Sequence, residues 1–139
     1  MAFGVTGSAP PLLLDTSALL YWTLSPERLS RAAQSAIDEA ARTGIAASAI
    51  SLWEIGLKAQ RGTLRLGIAF DEYVSRLQRV HNLAFIAVDT KIWLRVLGLP
   101  WDHRDPADRV IVATAEVLDT TLVTSDGAIR DYFARSIWE

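Results

Sequence analysis

The stretch Leu12-Leu13-Leu14-Asp15-Thr16-Ser17 decides the fold, because three leucines typical of a buried strand are followed at once by an acid and two hydroxyls. The pattern recurs at Leu122-Val123-Thr124-Ser125-Asp126. A buried strand should end in an ordinary turn residue, and not repeatedly in a lone acid beside a hydroxyl. If these strands are parallel, both acids lie at the carboxyl ends of the strands, in the crevice where open α/β sheets bind ligands.

Short apolar strands alternate with amphipathic helices along the rest of the chain. The predicted strands are 12–14, 45–47, 84–88, 121–124 and a short edge strand at 136–138; the predicted helices are 26–42, a segment that carries Glu54 and ends near 61, 71–81, a segment capped by Asp89, and one that follows Pro106. Helix 26–42 is predicted from the start signal Ser25-Pro26 and from apolar residues at helical spacing. This alternation favours an α/β fold whose parallel sheet is covered on both faces.

Length and composition limit the class of protein. The 139 residues suffice for one domain with a real core, which we place at residues 11–139. Residues 1–10 contain no Lys or Arg and no long apolar run, so we expect a flexible N-terminal extension and no signal peptide. The chain has no cysteine, which excludes disulfides and thiolate metal ligands. No apolar run approaches the roughly 18 residues of a membrane span, and we expect a cytoplasmic protein.

The net charge of −2 weakly disfavours a basic DNA-binding module. It leaves a nucleic-acid enzyme possible, because the local charge matters more than the total. Several cations lie close to candidate acids: Lys58, Arg61 and Arg65 follow Glu54, and Arg104 and Arg109 bracket Asp105 and Asp108. These cations predict either contacts with a nucleic-acid backbone or a solvated face with salt bridges, such as an i,i+4 pair of Glu54 with Lys58.

Each candidate acid also has an ordinary structural interpretation. Asp15 can cap a helix, Glu54 can be a solvated side chain, and Asp126 before a glycine can form a turn. Asp89, which follows the third predicted strand, fits the strand-then-acid pattern as well as Asp15 does. The pattern alone therefore does not separate a helix cap from a residue of a functional site.

The charged segment Asp105-Pro106-Ala107-Asp108-Arg109 supplies two further candidates. Asp105 suits the N-cap of a helix with Pro106 at its first position, and Asp108 falls on the same face three residues later. Acids that converge repel one another until a divalent cation joins them, so the set predicts a metal-dependent phosphodiesterase. Zinc is disfavoured because the set contains no His or Cys; His103 is expected only in a loop near the site.

The ordered motifs resemble those of the PIN-domain family, and most closely the VapC-type toxins of bacterial toxin–antitoxin pairs. The matching segments are Leu12–Leu20, Ser48–Ile55, His103–Ala113 and Leu122–Asp126, which cover most of the chain in the family's order. One departure is Ala107, which stands where a large residue is usual. This departure concerns packing and leaves the acids unaffected.

The resemblance implies a three-layer α/β/α sandwich with a mainly parallel five-stranded sheet, and a Mg²⁺- or Mn²⁺-dependent endoribonuclease. The family's four acids, which are both catalytic residues and metal ligands, match Asp15, Glu54, Asp108 and Asp126. The residues expected around them, behind the metal ligands or against the substrate, are Thr16, Thr124, Asp105, Arg109 and Lys58. Asp89 matches no family acid and is expected to be a cap. The implied partners are an RNA substrate, a cognate antitoxin protein and a second copy of the chain in a homodimer.

Other protein classes also place acids at strand ends. A phospho-receiver domain usually has adjacent acids after its first strand and a lysine after its last, whereas no lysine follows Lys91 here. A haloacid-dehalogenase-type phosphotransferase needs a second Asp where Ser17 stands. A catalytically inactive PIN-like scaffold or a metal-binding regulatory domain remains the alternative to an enzyme.

Overall fold

A five-stranded sheet forms the centre of the computed structural model, which describes residues 11–139; the expected N-terminal extension, residues 1–10, lies outside this part. The strands are β1 (Leu12–Leu14), β2 (Ile45–Ser48), β3 (Leu83–Ile86), β4 (Leu122–Val123) and β5 (Ser136–Ile137). All neighbouring strands pair in parallel, in the order β3-β2-β1-β4-β5. The predicted five-stranded parallel sheet is confirmed.

Helices cover both faces of the sheet. They are α1 (Thr16–Leu24), α2 (Arg31–Ala40), α3 (Ala49–Gln60), α4 (Phe70–Gln78), α5 (Thr90–Gly98), α6 (Pro106–Leu118) and α7 (Gly127–Tyr132). Successive strand residues point to opposite faces, so Leu14 and Val123 pack with α1 to α4, whereas Leu13 and Leu122 pack with α5 to α7. This arrangement is the expected α/β/α sandwich.

The helices are short. The longest, α6, has 13 residues. None of the helices within residues 11–139 combines the length and the apolar character that a bilayer crossing requires.

The predicted helix over 26–42 is wrong at its start. The signal at Ser25 opens only one 3-10 turn, Pro26–Arg28, and Leu29 after it is extended, with φ −73° and ψ 141°. Helix α2 begins afterwards, because the Ser30 side chain accepts a hydrogen bond from the backbone N–H of Ala33 at 3.1 Å. A second cap signal inside the predicted helix therefore overrides the first.

The strand order places a topological switch point beside β1. The chain leaves β1 for β2 and β3 on one side, and later returns to β4 on the other side. In open α/β sheets, ligands bind at the carboxyl ends of the strands where the connections diverge in this way, which here are β1 and β4. Asp15 and Asp126, which follow these two strands, lie on opposite sides of the switch point.

Candidate active site

Asp15 lies at the end of β1 and is the N-cap of α1. Its Oδ1 accepts a hydrogen bond from the backbone N–H of Ala18 at 2.8 Å, and the residue is only 6% exposed. Burial raises the pKa of Asp15 to about 6 together with the charges of Asp108 and Asp126, against hydrogen bonds from Thr124 and Ala18 that lower it. Asp15, Asp108 and Asp126 come from three separate segments of the chain, and their negative charges therefore interact at the switch point.

Asp126 lies across the switch point and is the N-cap of α7. Its Oδ1 accepts a hydrogen bond from the N–H of Ile129 at 3.0 Å, so this acid begins a helix and does not form an isolated turn. The backbone N–H of Asp126 donates to Oγ1 of Thr124 at 3.0 Å. Because the buried Thr124 side chain is also hydrogen-bonded to Asp15, it contacts both strand-end acids.

Asp108 lies in the first turn of α6. Its backbone N–H donates to Oδ1 of Asp105 at 3.0 Å, which is the cap predicted for Asp105. Its Oδ2 lies 2.8 Å from Nε2 of His103. Burial raises the pKa of Asp108, as do the charges of Asp105 and Asp126, whereas the contact with His103 lowers it. Of the two acids in this segment, Asp105 and Asp108, it is therefore Asp108 whose charge interacts with both strand-end acids, Asp15 and Asp126.

Glu54 projects from α3 and is joined to the end of β1 through one hydroxyl. Oγ1 of Thr16 donates to Oε1 of Glu54 at 2.7 Å and lies 2.8 Å from Oγ of Ser51. Oε2 of Glu54 accepts from Nζ of Lys58 at 3.0 Å, in the expected i,i+4 pair. Because Thr16 directly follows Asp15, this network connects Glu54 to the three aspartates.

The guanidinium of Arg109 is hydrogen-bonded to backbone carbonyls. It donates to the carbonyls of Val96 at 2.6 Å, of His103 at 3.0 Å and of Trp101. Of the two roles predicted for Arg109, contact with the substrate therefore finds no support in its hydrogen bonds. The arginine instead holds the loop that connects α5 to α6.

Asp89 shows why the strand-then-acid pattern predicts too many site residues. Its Oδ1 accepts a hydrogen bond from the N–H of Ile92 at 3.0 Å, so it caps α5 as expected. However, β3 is an edge strand, separated from β1 by β2, and Asp89 is exposed. Its place in the sheet keeps it away from the switch point.

The donor set consists of carboxylate oxygens, which suit hard cations such as Mg²⁺ and Mn²⁺. Within residues 11–139, however, no three His, Cys, Asp or Glu side chains are arranged to hold a metal ion by themselves. Mg²⁺ usually keeps several waters and binds one or two carboxylates. The residues therefore fit a hydrated cation, whose charge would offset the repulsion among the acids.

Two contacts of the site were missed by the sequence prediction. Ser51 is fully buried against Thr16, but its only signal in the sequence is a hydroxyl three residues before Glu54 on the same helix. His103 was placed near the site without a partner. Its contact with Asp108 spans five residues across a helix cap, a spacing that predicts no contact in advance.

Comparison with known proteins gives one family. The model of the PIN domain family matches residues 12–133, a range that contains all four candidate acids. The chain is 31% identical over 122 residues to ribonuclease VapC22 of Mycobacterium tuberculosis, a match that covers 87% of this chain and 91% of that protein.

Two solved structures share the fold. A toxin–antitoxin complex from Klebsiella pneumoniae is 20% identical, with a TM-score of 0.63 over 91% of this chain and 95% of that chain. VapBC2 of Rickettsia felis, bound to a DNA fragment from its promoter, is 16% identical, with a TM-score of 0.64 over 92% of this chain and 98% of that chain. The fold and the family match agree, and the chain belongs to the PIN-domain family.

Proposed function

We propose that this chain is a metal-dependent endoribonuclease that acts as the toxin of a toxin–antitoxin pair. The observation that carries the proposal is the convergence of Asp15, Asp108 and Asp126 at the switch point, where burial first, and then the charges of the other two acids, raise the pKa of Asp15 to about 6. Carboxylates that repel one another cost free energy unless a cation binds them. The 31% identity to a ribonuclease supports RNA as the substrate class.

One or two Mg²⁺ or Mn²⁺ ions would be held by the four acids, which are Asp15, Glu54, Asp108 and Asp126. When bound, the cation would make a water molecule a stronger nucleophile and offset the charge of the phosphate. Thr16 fixes the direction of the Glu54 carboxylate, and Thr124 fixes that of Asp15. These hydroxyls hold the acids in place before substrate arrives, which lowers the cost of forming the reactive geometry.

Exposed basic side chains near the acids are the expected contacts with RNA. Lys58 retains 50% of its side-chain exposure while it pairs with Glu54, and Arg61 and Arg104 are exposed. Contacts of this kind with phosphates give affinity without a choice of sequence. We expect the sequence preference to come from the shape of the RNA.

A cognate antitoxin and a second copy of the chain are the proposed protein partners, and the protein would act in the cytoplasm. The antitoxin is supported by the toxin–antitoxin complexes that share the fold. For the homodimer, we propose the apolar surface on α3 and α5 that is formed by Trp53, Trp93, Leu94 and Leu97, all exposed. Trp53 and Trp93 line the same apolar groove, and exposed apolar patches of this kind mark interaction sites.

Leu97→Glu should therefore shift the protein towards the monomer, because it places a charge on the proposed interface. Size-exclusion chromatography with light scattering measures the mass. Leu24→Glu, on α1, is the matched control, since Leu24 is also exposed but lies outside this surface. An equal mass for the wild type and both variants would contradict the choice of surface.

The enzyme is tested by sequencing the 5′ ends of RNA fragments made by purified protein with and without EDTA. We expect cleavage at defined positions with Mg²⁺ or Mn²⁺ and none after chelation. Intact RNA under every condition would favour the inactive scaffold or the regulatory domain. Cleavage that survives chelation would overturn the proposed site.

The toxin role is tested separately by expression in bacterial cells. The chain should arrest growth, and co-expression of a small protein from the neighbouring gene should restore it. Normal growth would reject the toxin role while leaving the ribonuclease activity to the experiment on purified RNA.

A further inference from the structure

The loop between α5 and α6 carries four consecutive polar residues, Asp102 to Asp105, and has no regular secondary structure. A polar surface loop of this kind is ordinarily among the more mobile parts of a protein. Here it leads directly into the helix that presents Asp108. The position of this loop therefore determines what surrounds one of the candidate metal ligands.

One anchor of the loop is the guanidinium of Arg109. It donates hydrogen bonds to four backbone carbonyls: Val96 at 2.6 Å, His103 at 3.0 Å, Leu99 at 3.4 Å, and Trp101. The carbonyl of Val96 belongs to the last turn of α5, where a cation is favoured by the helix dipole. Only the planar, five-donor guanidinium can serve so many carbonyls at once. Arg109 thus ties the last turn of α5 and the loop as far as His103 to α6.

A second anchor is a stack of three rings. The Trp101 ring lies parallel to Tyr132, with centroids 4.6 Å apart and planes at 9°, and His103 stacks near Trp101 at 4.5 Å and 21°. Tyr132 ends α7, the helix whose N-cap is Asp126. The loop is therefore attached to α6 and α7, and each of these helices has a candidate acid at its N-terminal end: Asp108 in the first turn of α6 and Asp126 as the N-cap of α7.

Both anchors act on the same residue, one through its backbone and the other through its side chain. The Arg109 guanidinium holds the His103 carbonyl, the Trp101 ring holds the His103 ring, and Nε2 of His103 lies 2.8 Å from Oδ2 of Asp108. Partners behind metal ligands orient those ligands and tune their affinity. We infer that Arg109 and Trp101 are positioning residues that hold His103 against Asp108 and so fix the orientation of this carboxylate for the cation. This inference rests on the proposed function, because it assigns the device to that site.

The test compares Arg109→Gln with Arg95→Gln in the purified full chain. Arg95 is a matched control because it also joins α5 to α6, through Glu116 at 2.5 Å, without a hydrogen bond to the loop. Titration calorimetry with Mn²⁺ measures the affinity of the site. The chain has only two histidines, so ¹⁵N imidazole NMR observes His103 directly, with the exposed His81 as an internal reference.

We expect Arg109→Gln to weaken Mn²⁺ binding by about 10–100-fold, the usual effect of losing a partner behind a metal ligand. In the same variant the His103 signal should move towards that of His81. Arg95→Gln should change neither quantity. Loss of thermal stability in Arg109→Gln with an unchanged His103 signal and unchanged Mn²⁺ affinity would show only a structural brace, and would overturn the inference.

A double-mutant cycle keeps the test decisive if Arg109→Gln folds poorly. His103→Ala removes the contact with Asp108 and leaves the carbonyl anchors in place, so it should weaken Mn²⁺ binding at little cost in stability. Trp101→Leu should weaken binding in the wild-type background and have almost no further effect in the His103→Ala background. Additive effects, or tighter binding in His103→Ala, would contradict the inference.

Failure of this inference can be distinguished from failure of the proposed ribonuclease function. If the wild type binds Mn²⁺ but cleaves no RNA, the ribonuclease proposal fails, and the calorimetry and NMR still decide the role of Arg109 and Trp101.

Discussion

Asp15 and Asp89 have the same local structure and different surroundings. Each follows a strand, each is the N-cap of the next helix, and each Oδ1 accepts the N–H three residues later, at 2.8 Å and 3.0 Å. However, β1 lies at the centre of the sheet and β3 at its edge. Asp15 is 6% exposed and feels the charges of Asp108 and Asp126, whereas Asp89 is exposed. Local sequence therefore determines the cap, and the strand order determines which cap belongs to the site.

The largest expected effect is on RNA cleavage by Asp15→Asn. Asn caps a helix about as well as Asp, so this variant keeps α1 and removes only the charge. We expect kcat/KM to fall by more than the roughly 10–100-fold cost of losing a partner behind the ligands.

Asp89→Asn is the matched control for this loss. It should remain within about twofold of the wild type, as an exposed substitution outside the site does. Equal losses in both variants would show that capping, and not position in the sheet, accounts for the activity.

The second effect is on the stability of the metal-free protein. The pKa of Asp15 is about 6 in the folded chain against an ordinary value of 3.8. A raised folded pKa means that the carboxyl contributes stability that is fully present below pH 3.8 and is lost as the pH rises through about 6. Asp15→Asn cannot ionise, so it should exceed the wild type at pH 8 by up to about 3 kcal/mol and match it more closely at pH 4.

Urea unfolding in EDTA at both pH values measures this difference. Asp89→Asn should stay within about 0.5 kcal/mol of the wild type at either pH. A gain for Asp15→Asn that is the same at pH 4 and pH 8 would contradict the raised pKa of Asp15, which comes first from burial and then from the charges of Asp108 and Asp126.

The third effect concerns the hydroxyl that joins Glu54 to the end of β1. Thr16→Val leaves the Glu54 carboxylate and the Ser51 hydroxyl without their shared partner, which should cost about 1–2 kcal/mol of stability and about tenfold in kcat. Thr16→Ser keeps the hydroxyl and should recover both. If Thr16→Ser is as inactive as Thr16→Val, the methyl group and not the hydroxyl is what matters.

The smallest effect is expected at Lys58. Its pair with Glu54 is half exposed, so Lys58→Ala should lower stability by at most about 0.5 kcal/mol. If Lys58 contacts RNA, Lys58→Ala should raise KM for RNA by a few fold and make KM depend less on salt. Arg76→Ala breaks the similar i,i+4 pair with Glu72 away from the site and should leave KM unchanged. Equal KM values for the two variants would remove Lys58 from the RNA-binding surface.

Much of the fold is predictable from the sequence because its strands are short apolar runs separated by amphipathic helices. Asp15 and Asp126 can be nominated as candidates in the same way, because each follows a strand in the sequence, but the same pattern nominates Asp89 as well. The failure at Pro26 is also local: two cap signals compete, and Ser30 rather than Ser25 caps the helix. The pattern contains no rule for choosing between them.

The contacts within the site are less predictable because they depend on how helices cross. Thr16 meets Glu54 and Ser51 only because α1 and α3 pack on the same face of the sheet. Likewise, His103 reaches Asp108 only because its loop is anchored from two helices. Asp15 and Asp89 are distinguished in the fold by the strand order, which the pattern of residues does not contain. The resemblance to the family sets Asp89 aside only because no family acid matches it.

We propose that position at the switch point makes a capping aspartate a metal ligand. Titration calorimetry with Mn²⁺ on the wild type, Asp15→Asn and Asp89→Asn tests it most directly. We predict that the wild type and Asp89→Asn bind Mn²⁺ equally, and that Asp15→Asn binds at least about tenfold more weakly. Equal affinity in all three proteins, or no binding to the wild type, would contradict the claim.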